Sequence, residues 1–197
     1  MSVTSAAPLA GLLALTARRV RQDLQFSRIF LVDLAATAAY GATTLLLLAW
    51  GDATSQSTRA LCVAGAAYVS LLVLKIGLVV YLEKRGGDAR QFIGSETLVT
   101  SGVYAFSRNP VYVVSLLQSL AWSLGLIGFG LGGAGLCPLT LLAAATLLYG
   151  HFWGMDRLIV PHEEEALRAR HPEAFGAYCA RVNRWLGWRA QAEMTSR

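Results

Sequence analysis

The sequence is short of charge. Only 15% of its 197 residues are Asp, Glu, Lys or Arg, while 55% are hydrophobic; a soluble domain carries about 25% charged residues. That deficit excludes a disordered chain and argues against a water-soluble globule. Cysteine is scarce as well. Cys62, Cys137 and Cys179 are scattered with no CxxC pair, so neither a disulfide framework nor a zinc site is expected, and no metal is assigned. Of the three histidines only His151 falls near an apolar run, which excludes a pair of haem ligands at one depth. No internal repeat or low-complexity tract occurs, and this counts against a transporter built from repeated halves. A secretory signal is missing too: residues 8–17 are apolar but about half a membrane span long, and Arg18, Arg19 and Arg21 follow the stretch rather than precede it.

What the sequence does have is long apolar runs. A span needs roughly 20 mostly apolar residues at about 1.5 Å each. Residues 29–50 qualify, interrupted only by Asp33, and residues 60–82 qualify around Lys75. Residues 111–131 and 136–155 carry no formal charge. The last two runs are joined by a few small residues, a link that permits only an antiparallel hairpin. The expected fold is therefore an all-α integral membrane protein: four transmembrane helices in two hairpins. An interfacial N-terminal segment (1–28) precedes the membrane core (29–155), and a cytoplasmic helical tail (156–197) follows it, all within one domain.

Charge placement orients the chain. Of 17 basic residues against 12 acidic ones, all but Arg59 and Lys75 lie before the first run, between the second and third, or after the fourth. The positive-inside rule then puts both termini in the cytoplasm. The formal charge of +5 is an orientation signal and calls for no nucleic acid; no obligate protein partner is evident either. The same topology brings the unusual polar residues Asp33, Lys75, Gln118 and His151 to one depth near the cytoplasmic leaflet, where ionisable groups face a cavity or a partner.

Glycines 128, 130 and 133, and again 130, 132 and 135, fit GxGxxG. That fingerprint binds a nucleotide only between a strand and a helix; here helix packing and a tight turn account for the glycines. Two other stretches carry more. LVTSGVYAFSRNPVY (98–112) feeds a helix start at Asn109-Pro110, where Asn can cap and Pro fits the first turn. Exposed N–H groups at such a start favour an anion, and Arg108 reinforces this. In the tail, Pro161 opens one helix with Glu163, Glu164 and Glu165 at its positive end. Pro172 interrupts it, and a second helix holds Phe175, Tyr178 and Val182.

Gly-x-Tyr-x-x-x-Arg-Asn-Pro-x-Tyr, then a hairpin, then Glu-Glu-x-x-Leu and a Tyr before Arg-Val-x-Arg-Trp together resemble the isoprenylcysteine carboxyl methyltransferase family. The related phosphatidylethanolamine N-methyltransferases share this C-terminal pattern. The resemblance covers about residues 98–185. Asn109 stands where many members have His, His171-Pro172 where Phe-Gly is usual, and Phe175 replaces the first of two tyrosines. The resemblance implies an S-adenosylmethionine-dependent methyltransferase acting on a lipid-like or prenylated acceptor. By it, Gly102, Tyr104, Arg108, Asn109, Pro110, Tyr112 and Tyr178 line the cofactor pocket, and Glu163 and Glu164 close it. Glu163 or Glu164 would take the cofactor's ammonium or ribose diol and Arg108 its carboxylate, with a tyrosine against the adenine or sulfonium. A carboxylate acceptor needs no base, and Arg181 would orient it; an amine acceptor must lose a proton, which would make one Glu a general base. Phospholipid N-methylation is the nearest alternative, and a small non-enzymatic transporter or assembly factor the alternative of another class.

Overall fold

The computed structural model describes residues 32–49, 54–86, 97–132 and 137–188. Among these the chain is all-α and without strands, apart from one isolated antiparallel bridge between Val182 and Trp188. The helices are α1 (Val32–Ala49), α2 (Ser55–Lys84), α3 (Pro110–Gly132), α4 (Cys137–Gly154), α5 (Val160–Arg170) and α6 (Pro172–Arg181). Three of them, α1, α2 and α3, are long and apolar enough to cross a membrane. The fourth expected run forms α4, which has 18 residues, ends on His151, Phe152, Trp153 and Gly154, and is not among those three. The expected N-terminal interfacial segment lies outside the described residues.

Adjacent helices run antiparallel. Asp33 and Thr37 of α1 meet Lys75 and Tyr68 of α2 in reverse order, and His151, Ala144 and Thr140 of α4 follow Ser119, Ser123 and Gly130 of α3 likewise. Helix α3 is central. Small residues bring its backbone close to its neighbours: an added Cβ would strike Ala64 at Gly125, Ala60 at Gly128 and Thr140 at Gly130. The glycine run is thus a packing device, as its place at the end of an apolar helix implies. Helix α2 starts at Ser55, ahead of its apolar run, because Thr54 Oγ1 accepts from Ser57 N at 3.1 Å. Leu45, Val63, Val73, Leu142 and other large apolar side chains remain exposed on the outer faces. Lipid suits such a surface and water does not.

One end of the bundle carries the polar architecture. There α4 continues into a π-helical turn, Met155–Ile159, and then into α5. Pro161 lies in the first turn of α5 and Pro172 in that of α6, so the helical tail forms as its sequence implies. Phe175 and Tyr178 are buried, while Val182 falls just past α6 in extended conformation. Tyr112, Met155, Ile159 and Val160 form a buried cluster against which Val32 and Trp185 pack, and this fastens the tail to α1 and α3.

Candidate functional site

At that end the two sequence stretches fold together. The chain after α6 turns back in a hook whose ends bridge at Val182 and Trp188. Asn183 N donates to Gly187 O at 2.9 Å, and Gly187, with φ +86, is the residue suited to that turn. The hook is pinned to the 98–109 loop through Arg108 N to Asn183 O at 3.2 Å and Gly187 N to Phe106 O at 2.8 Å. Asn109 stands at the start of α3, and its side-chain Nδ2 donates to Arg184 O at 3.0 Å. The asparagine therefore ties the helix start to the hook.

Inside this frame is a charged cluster. Arg108 Nη1 is 2.9 Å from Glu164 Oε1, with side chains 6% and 10% exposed. Glu164 Oε2 accepts from Arg184 Nη2 at 2.8 Å, and Arg184 Nη1 reaches Asp156 Oδ1 at 3.3 Å. The hydrogen bond to Glu164 raises the Arg184 guanidinium further above its usual range, with Asp156 adding to it. Arg108 Nη1 also donates to Cys179 Sγ at 2.6 Å, whereas Arg108 Nε is buried with no hydrogen-bond partner. Beside the cluster Tyr112 Oη donates to Glu163 Oε1. Burial pushes the Glu163 carboxyl up to about 8, against the counter-effect of the Tyr112 bond and with a further rise from Glu164. Burial thus favours the protonated form of Glu163.

Of the expected site residues, the structure brings Arg108, Asn109, Pro110, Tyr112, Glu163 and Glu164 together. Tyr178 is close, but its hydroxyl is committed: it donates to Tyr104 O at 2.6 Å and lies 3.4 Å from Ser107 O. It fixes the loop, and burial raises both its phenol and that of Tyr104. Gly102, at φ +63, opens the short 3-10 turn Gly102–Ala105, and any Cβ there would collide with the Tyr81 hydroxyl. Arg181, expected to orient an acceptor carboxylate, is exposed at the end of α6, and Arg184 is the arginine of that pattern that pairs with Glu164. Asp156 and the π-turn that aims it were missed, since nothing in a continuous apolar run announces an extra backbone residue per turn. Such turns concentrate at functional sites.

Two cavities lie among the described helices, and the larger reaches the cap. The larger, about 710 Å³, is a groove between α3 and α4 lined by Leu116, Leu120, Ala145, Leu148 and Phe152 and reaching Trp185. Its walls are almost wholly apolar. The smaller, about 240 Å³, lies between α1, α2, α3 and α4, and polar side chains stand among its apolar walls. Asp33, Lys75, Gln118 and His151 all line it, so the common depth read from the sequence does bring these four residues to one place.

Compared with known proteins, the chain matches no family model, no curated protein and no solved structure.

Proposed function

We propose that the chain is an S-adenosylmethionine-dependent integral-membrane methyltransferase acting on a lipid or lipid-like acceptor at the cytoplasmic leaflet, in the manner of isoprenylcysteine carboxyl methyltransferases. In this reading α4 completes a set of four spans, both termini are cytoplasmic, and residues 156–188 form the cap over the cofactor. One observation carries it. Two stretches some fifty residues apart, alike in pattern to the same family, close on each other as the Arg108–Glu164–Arg184 cluster next to a groove wide enough for an acyl or prenyl chain.

The residues present fit the cofactor's chemistry. The buried, unpartnered Arg108 Nε is suited to the cofactor's carboxylate. Glu163 and Glu164 are suited to its ammonium and ribose diol, and a cation placed beside Glu163 would draw off its proton. When bound, S-adenosylmethionine supplies an activated methyl group on a sulfonium. The chain's own part is alignment and exclusion of water, which contribute most of the rate in such a displacement. Pro110 and Asn109 fix the start of α3, the hook covers the loop, and Trp185 stands where the apolar groove meets the cap. The acceptor's chain would enter sideways from the bilayer along α3 and α4.

The test is calorimetric titration of the detergent-purified protein with S-adenosylmethionine and S-adenosylhomocysteine. Binding of both is expected, with Arg108→Ala and Glu164→Ala each weakening it at least tenfold. Unchanged affinity in both variants would refute the site.

A further inference from the structure

The smaller cavity holds a feature that the cap does not explain, and no cap residue lines it. His151 of α4, its side chain 4% exposed, lines the space with Nε2 buried and without a hydrogen-bond partner among the described residues. Asp33 Oδ1 of α1 stands 3.2 Å from that nitrogen, but at an angle too bent for a hydrogen bond. An unpaired buried polar group is costly, so a ligand that pairs it gains what the empty protein forgoes.

The two sides of the imidazole are told apart by their neighbours. Nδ1 shares a hydrogen bond with Ser119 Oγ of α3. The Asp33 carboxylate beside Nε2 favours the tautomer with its proton on that side. Nδ1 then accepts from the Ser119 hydroxyl, and Nε2–H is a donor. Lys75 of α2 gives one N–H to Asp33 Oδ2, and its ammonium carries two more. Other polar groups of the wall are engaged: Tyr40 with Ser123 Oγ at 2.9 Å, Tyr68 with Thr37 Oγ1 at 3.2 Å, and Gln118 Nε2 with Tyr68 O at 3.5 Å. His151 and Lys75 thus turn unfilled N–H donors to the cavity, which calls for an acceptor.

Charge and shape narrow its class. Asp33 and Lys75 neutralise each other, and a net charge added beside them within a span would be expensive. The occupant is therefore uncharged. The volume of about 240 Å³ is several times the ~30 Å³ that one water takes in the liquid, too large for a single bridging water. Leu34 and Leu72 line the space yet are 48% and 40% exposed. It therefore opens between α1 and α2 on the outer face of the bundle, the face that suits lipid.

We infer that this cavity binds the carbonyl head of an uncharged membrane lipid, with His151 Nε2–H donating to the carbonyl oxygen and Lys75 beside it. An acylglycerol ester and a quinone both present such an oxygen on an apolar body. The site is separate from the cap and from the groove between α3 and α4, and it does not depend on the methyltransferase reading.

The experiment uses the full chain in detergent micelles with ring-15N histidine. His162→Gln and His171→Gln, both in the tail, identify the signals of the other two histidines. Dioctanoylglycerol and a short-chain benzoquinone are titrated separately, which distinguishes the two sources. At least one is expected to bind saturably and to move the His151 Nε2–H proton downfield, as a new hydrogen bond does. His151→Phe should weaken that binding by about tenfold or more, the weight of one hydrogen bond to a buried donor. Leu72→Trp fills the mouth and leaves every donor in place. It should weaken binding as much, and it keeps the test if His151→Phe does not fold. Dioctanoyl phosphatidate and dodecylammonium, lipid-like but charged, should leave the His151 signal in place. A signal unmoved by both uncharged probes, a charged probe that moves it equally, or unchanged affinity in Leu72→Trp would each overturn the assignment.

Discussion

The two polar regions of this bundle are built in opposite ways. The cap cluster is drawn from two contiguous stretches and the π-turn that carries Asp156, is held by two arginines against Glu164, and rests on backbone pairings between a hook and a loop. The cavity cluster is assembled from single residues on four helices, holds one cation and one carboxylate, and has no backbone pairing to rigidify it. The first is over-determined and the second depends on helix packing. Charges buried in the cap are neutralised locally, so each partner there is costly to remove.

Substitutions can sharpen this contrast. The largest loss is expected for Arg108→Ala, which leaves Glu164 to Arg184 alone; complete loss of partners from a buried pair costs about 3–5 kcal/mol, and a part of that is expected here, read as a fall in thermal midpoint in detergent. Next comes a pH effect at Glu163. Its carboxyl is raised from 4.5 to about 8 in the folded protein, so across that interval the folded state holds a proton that the unfolded state has released. Stability should therefore fall as pH rises from about 4.5 to about 8 and level off above. Glu163→Gln should flatten that slope in denaturation scans at several pH values, and a slope unchanged in the variant would contradict the assignment.

Smaller effects test the helix packing on which the cavity depends. Gly130→Val forces a branched side chain against Thr140 and should cost about 1–3 kcal/mol by overpacking, loosening α3 from α4. Tyr178→Phe removes only the hydroxyl that holds Tyr104 O and Ser107 O. About 1 kcal/mol is expected from the lost bond, seen as faster proteolysis of the 98–109 loop with the spans intact.

The same contrast explains what could be read in advance. Apolar runs and prolines mark the helices, because burial in lipid and a missing N–H act locally. Arg108, Asn109, Tyr112, Glu163 and Glu164 stood out as motifs within short windows, and these are the residues that converge. Arg184 lay inside the Arg-Val-x-Arg-Trp pattern, yet Arg181 was preferred; α6 ends at Arg181 and the hook then turns Arg184 inward. Asp156 depended on a π-turn with no compositional mark. For the cavity, depth alone placed Asp33, Lys75, Gln118 and His151 together. Ser119 and Tyr40 were invisible, because a serine or tyrosine in an apolar run gains meaning only from the rotation of its helix against the others.

The central claim is that the cap binds S-adenosylmethionine through Arg108 and the paired glutamates. Calorimetric titration of the purified protein with S-adenosylhomocysteine tests it most directly. The account predicts saturable binding that weakens at least tenfold in Arg108→Ala. Absence of binding to the unaltered, folded protein would contradict it.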